Sequence, residues 1–183
     1  MESGQLPRFF ERATRQSFHD LALDDPPAVS YLADLLTRFA RSEALYAVRE
    51  LPGRRLDTVV DSLLAIQQVW DLDSPEFSPG AEQALRRQIG DYTLFMIGIF
   101  REHVERLAVT GYYEHEGRRA YRFVSETARA GGKPDARLFR RLSDRFEQYA
   151  GALSYARKVY FRSDGWPPAA GSGDSSFRPL LAE

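Results

Sequence analysis

The feature that most constrains the fold is the stretch Tyr92-Thr93-Leu94-Phe95-Met96-Ile97-Gly98-Ile99-Phe100, apolar but for Thr93 and bracketed by Asp91 before it and Arg101-Glu102 after it. Its length is about half of the ~20 apolar residues that a membrane-spanning helix needs. A helix that is apolar all round must be covered all round by other elements. The stretch therefore predicts the central helix of a bundle, starting near Ser78-Pro79 and running to about Ala108. Gly90 and Gly98 interrupt it. Each costs about 1 kcal/mol relative to Ala in a helix interior, so both predict a close helix–helix approach or a kink.

The covering elements follow from their period. After Asp24-Asp25-Pro26-Pro27, apolar residues at Val29, Leu32, Leu35, Leu36, Phe39, Ala40 and Tyr46 share one helix face. Asp25 suits the cap of that helix and the two prolines suit its first turn. Pro52-Gly53 stops it, and Leu56, Val59, Val60, Leu63, Leu64, Gln67 and Trp70 form the next face, closed by the turn-rich Asp71-Leu72-Asp73-Ser74-Pro75. Residues 118–130 predict a helix with Tyr121, Val124 and Ala128 inward, broken at Gly131-Gly132-Lys133-Pro134. A last long helix over about 135–162 carries Leu138, Leu142, Phe146, Tyr149, Leu153, Ala156 and Tyr160 on one stripe, and a first helix covers about 8–21. Residues 111–117, GYYEHEG, read as a loop or a short hairpin-like excursion. Period-two alternation is nowhere sustained. The expected fold class is all-α: a single domain, residues 1–163, of five to seven helices around a central hydrophobic helix. Residues 164–183 have the composition of a C-terminal tail.

Composition narrows the chemistry. A chain of 183 residues with 43% apolar residues suits one globular domain. It has no cysteine, which excludes disulfides, thiolate metal sites and cysteine nucleophiles. It has no asparagine, which excludes N-glycosylation and any Asn-dependent triad. Arginine outnumbers lysine 23 to 2, the bias of a GC-rich genome. The N-terminal residues show no basic start followed by an apolar run, so the expectation is a cytoplasmic protein with no membrane association.

No catalytic set and no cofactor or metal motif emerges. A di-iron bundle needs Glu-x-x-His pairs, and none of His19, His103 or His115 has an acidic residue three or four positions away. Gly132-Lys133 lacks the glycine of a phosphate loop, and no G-x-S-x-G elbow exists. Asp91, at the head of the apolar stretch, needs a partner if buried; Arg86, Arg87 or an arginine of another helix fits that role. With Tyr92, His103 and Tyr121 it makes up a candidate ligand pocket between helices. His103 also reads as a half-exposed helix-end histidine.

Charge is split along the chain. Residues 1–110 carry 12 basic and 17 acidic side chains, whereas residues 111–162 carry 12 basic and 6 acidic. The two halves can neutralise each other in the folded bundle, or the basic half can face a partner. The candidate partner or anion-binding residues are Tyr112, Tyr113, Arg118, Arg119, Arg122, Arg140 and Arg141. Arginines grip phosphates and aromatic faces stack on bases, but no helix-turn-helix, zinc-finger or RNA-binding signature accompanies them. The leading expectation is a non-catalytic interaction or regulatory module, with a protein partner or a homodimer. A ligand-binding protein or enzyme is the first alternative and a nucleic-acid binder the second.

Two segments, Gly90-Asp91-Tyr92-Thr93-Leu94-Phe95-Met96 and Leu138-Phe139-Arg140-Arg141-Leu142-Ser143-Asp144-Arg145-Phe146-Glu147, resemble those of a group of bacterial all-helical proteins with no assigned activity. The resemblance spans about Phe10 to Tyr160. It implies a bacterial, single-domain, all-helical protein and carries no catalytic residue.

Overall fold

The structure is a computed structural model and describes residues 5–40 and 79–161. Within them the chain forms seven α-helices and no strand. They are α1 (Gln5–Asp20), α2 (Pro26–Ala40), α3 (Pro79–Ile99), α4 (Arg101–Arg106), α5 (Thr110–Ala130), α6 (Ala136–Asp144) and α7 (Phe146–Ala156), followed by one π-helical turn, Arg157–Phe161. The all-α class is as the periodicity predicts. The expected helix around Leu56–Trp70, its flanking turns, Tyr46 and the tail 164–183 lie outside the described residues.

The apolar helix α3 is central. Its Ile89, Leu94, Ile97 and Ile99 are buried, and it packs chiefly on α5 and α7. Helix α1 lies against α2 and α7, and α5 forms an antiparallel pair with α6. The predicted inward residues Tyr121, Val124 and Ala128 of α5 are buried, as are Leu142, Phe146, Tyr149, Leu153 and Ala156 of the last stripe.

Glycine sets the spacing where the helices meet. A Cβ on Gly90 would stand 2.7 Å from the Tyr121 ring, and one on Gly98 2.7 Å from Leu153 Cβ. The close approach expected at both positions is present, with α5 on one side of α3 and α7 on another.

Three segments differ from the sequence reading. Residues 111–117 are neither loop nor hairpin but the first turns of α5. They are helical because Tyr113, Glu116 and Gly117 carry the buried face of α5 forward, with Gly117 packed against Thr93 and Phe146. The third helix stops at Ile99 instead of running on to Ala108: Phe100 leaves helical dihedrals at φ −114°, ψ 39°. A left-handed Ala108, φ 56°, then turns the chain into α5, with the Val109 amide donating to the Val104 carbonyl. The last helix is likewise divided at Arg145, φ −110°, ψ 24°, so that Phe146 of α7 and Phe139 of α6 both reach the Tyr121 ring.

Candidate functional site

Two buried carboxylates organise the polar chemistry of the interior. Asp91 lies on α3 among apolar neighbours and is only 2% exposed. Its Oδ1 accepts hydrogen bonds from the Tyr31 hydroxyl at 2.5 Å and the Tyr121 hydroxyl at 2.8 Å. Its Oδ2 accepts one from Arg38 Nη2 at 2.9 Å, and Arg87 Nε approaches the same oxygen at 3.9 Å. A buried carboxylate is tolerable when its lone pairs are met this way. Three helices are tied by one side chain: α2 through Tyr31 and Arg38, α3 through Asp91 and Arg87, α5 through Tyr121.

The local sequence explains the convergence. Tyr31 and Arg38 are seven residues apart, two turns of α2, and so stack on one face. Arg87 stands four residues before Asp91 on α3. Its Nε donates to the Tyr31 hydroxyl at 3.1 Å, and its guanidinium lies 5.2 Å from the Tyr31 ring centre and 5.4 Å from that of Phe139. Burial, and then the neighbouring Asp91 charge, push the Tyr31 and Tyr121 phenols far above their ordinary range. Both are locked as hydrogen-bond donors. For Arg38 burial opposes the charged form, but the Asp91 charge outweighs it and raises the guanidinium further.

The second carboxylate is Asp25. Its Oδ1 accepts the Ala28 amide at 3.2 Å, the capping contact that Asp-Pro-Pro suggests. Its Oδ2 accepts Arg141 Nε at 2.7 Å and the Tyr149 hydroxyl at 2.6 Å. Burial acts to raise the Asp25 carboxyl, yet the bonds from Tyr149 and Arg141 prevail and hold it below the usual carboxylate range. Thus the cap of α2 is also where α6 and α7 attach.

The candidate residues divide between these clusters and the surface. Asp91 and Tyr121 are in direct contact. Tyr92 is buried but points to Tyr113 of α5, ring centres 6.2 Å apart, away from Asp91. His103 is half-buried on α4, twelve residues beyond Asp91 and thus roughly 18 Å further along the helical path. The four expected pocket residues therefore do not share one site. Among the surface candidates Tyr113 is buried, and Arg141 is committed to Asp25. Arg118 pairs with Glu147 at 3.4 Å and Arg140 with Asp144 at 2.9 Å, both at the surface. Arg119 and Arg122 are exposed, as is Tyr112. Arg86, weighed above as an Asp91 partner, instead meets Glu82 at 3.3 Å.

Arg38, Tyr31 and the Asp25–Arg141–Tyr149 cluster went unread in the sequence. The signal for the first two was the two-turn spacing that puts a phenol and a guanidinium on one face of α2. Part of the charge split is internal: Arg141 meets Asp25, and Arg157 and Lys158 meet Glu102. Among the described residues no group of three His, Asp or Glu side chains is arranged to hold a metal ion, and no helix is long and apolar enough to cross a membrane.

Fold and clusters together define the class: an all-α bundle whose helices are held by two carboxylate hubs. Comparison with family models, with curated proteins and with solved structures finds no match for the chain.

Proposed function

We propose that this chain is a non-catalytic interaction module that presents the outer faces of α5 and α6 to an acidic surface of a protein partner. The observation that carries this reading is a set of unpaired cations. Arg119, Arg122, Arg129 and Arg137 are exposed and make no ion pair with any described residue. They are held on a well-fixed hairpin: the Ser125 hydroxyl donates to the Ala136 carbonyl and the Ser143 hydroxyl to the Arg118 carbonyl, both at 2.8 Å. The two carboxylates that would otherwise suggest acid–base chemistry already have their donors within the protein.

A protein partner is favoured over nucleic acid for two reasons. Glu126 and Asp144 are interspersed with the arginines on these helices, and Glu147 of α7 pairs with Arg118 beside them, which weakens attraction to a phosphate backbone. Tyr113 and Tyr121, which could stack on bases, are buried. The setting we propose is bacterial and cytoplasmic; the arginine-for-lysine bias supports the origin.

The test is a photo-crosslinking residue placed at position 122, with the same residue at the exposed Gln16 of α1 as reference. One discrete protein adduct at position 122, lost when Arg119→Glu and Arg129→Glu are introduced together, is the expected result. An adduct equal to that at Gln16, or one removed by nuclease, overturns the reading. An adduct of the chain with itself would make the partner a second copy.

A further inference from the structure

We propose that Arg38 and Arg87 form a surface site for a multiply charged oxyanion of the phosphate class. Both guanidiniums converge on a single atom, Asp91 Oδ2, at 2.9 and 3.9 Å, yet their side chains remain 41% and 44% exposed. Arg38 uses Nη2 for Asp91 and Nε for Asp34, the latter at 3.1 Å. Arg87 uses Nε for the Tyr31 hydroxyl. Among the described residues, Nη1 of Arg38 and both Nη atoms of Arg87 have no acceptor. The N–H groups left over belong to two forks held side by side where the buried cluster reaches the surface.

Two guanidiniums meet two carboxylates here, but the carboxylates are unequal: Asp91 is buried, whereas Asp34 is 64% exposed. An exposed pair of that kind contributes little and is screened by salt. On the inner side, Tyr31, Phe139 and Asp91 are buried, and interactions at such a boundary are stronger than in bulk water. Asp91 and the aromatic rings also fix the two side chains beforehand, so a ligand need not order them.

Oxyanion class follows from the donors. One arginine fork satisfies a monocarboxylate. Two forks converging from different helices suit a tetrahedral dianion, with oxygens for both. The inference is independent of the partner surface proposed for α5 and α6, because it uses none of the same residues.

Inorganic phosphate and pyrophosphate, titrated at fixed ionic strength while the arginine Nε–H signals are followed by nuclear magnetic resonance, test it on the full chain. The expected result is saturable movement of the Arg38 and Arg87 signals. Arg87→Gln should weaken binding by about tenfold or more, the worth of a charge-assisted hydrogen bond, whereas Arg15→Gln, at an exposed position of α1 paired with Glu11, should leave it unchanged. Three results overturn the proposal: no saturable movement in the unaltered protein, equal weakening by Arg15→Gln, or acetate competing as well as phosphate. The unaltered protein decides the first of these even if Arg87→Gln folds poorly.

Discussion

The Tyr149 hydroxyl donates to Asp25 Oδ2 at 2.6 Å across 124 residues of sequence, so the cap of α2 is completed from α7. Its energetic weight should be visible in acid.

Asp25 sits below its ordinary pKa in the folded protein. A carboxyl so depressed stabilises the fold above its unfolded pKa, near ~3.9, and that contribution is lost as pH falls through the folded value. Urea unfolding between pH 7 and pH 2 should show stability declining below about pH 4. Asp25→Asn should be less stable at pH 7 and decline less steeply in acid; an unchanged slope would assign the acid sensitivity elsewhere. At the other end, burial and then the bond to Asp25 push the Tyr149 phenol up to about 12. The stability linked to it persists at pH 10 and is lost as pH rises toward that value, a loss that Tyr149→Phe should abolish.

Replacing Asp91 by Leu takes the acceptor from two buried hydroxyls at once, while Arg38, 41% exposed, keeps Asp34. Each buried donor left unmet costs about 1–3 kcal/mol, and denaturant midpoints should fall accordingly. Tyr31→Phe and Tyr121→Phe should each cost about 1–2 kcal/mol. Because they share Asp91 Oδ1, the double substitution should depart from additivity in a mutant cycle.

Gly117 is the least replaceable glycine of α5. A Cβ there would stand 2.5 Å from the Phe146 ring and still closer to the Thr93 hydroxyl. Helix propensity alone would make Gly→Ala favourable by about 1 kcal/mol. Overpacking of 1–3 kcal/mol opposes it, so thermal unfolding of Gly117→Ala should show a net loss. A rise in melting temperature would mean that α5 and α7 can move apart freely.

Thr14, on the buried face of α1, is 1% exposed, and its hydroxyl has no hydrogen-bond partner among the described residues. One turn on, Ser17 avoids that fate by donating to the Ala152 carbonyl at 2.6 Å. Thr14→Val keeps the shape and removes the stranded group, and should stabilise the protein by about 1 kcal/mol. Ser17→Ala should do the reverse, since it removes a hydrogen bond that joins α1 to α7.

What could be read from the sequence was whatever depends on period. Leu32, Val124 and Leu153 are buried because their spacing put them on an apolar face, and Gly90 and Gly98 marked the closest approaches. The break at Arg145 carries no proline or glycine, so propensity gave no warning of it, whereas Gly98, two residues before the break at Phe100, had offered a kink as one of its two readings. Gly111 and Gly117 misled in the opposite sense, since they suggested a loop where tertiary packing makes a helix. The hubs were half visible. Asp91 announced a need for a partner and Asp25 a cap, but the choice of Arg38, Arg141 and Tyr149 depends on how helices far apart in sequence are brought together.

The placement of the Asp25 hub also bears on the order in which the chain is made. When α2 leaves the ribosome, Arg141 and Tyr149 have not been synthesised, and Asp91 with Tyr121 is equally unavailable to Tyr31 and Arg38. The N-terminal helices thus emerge with their polar anchors unmet, and the native arrangement is secured only once the C-terminal helices arrive to close both hubs.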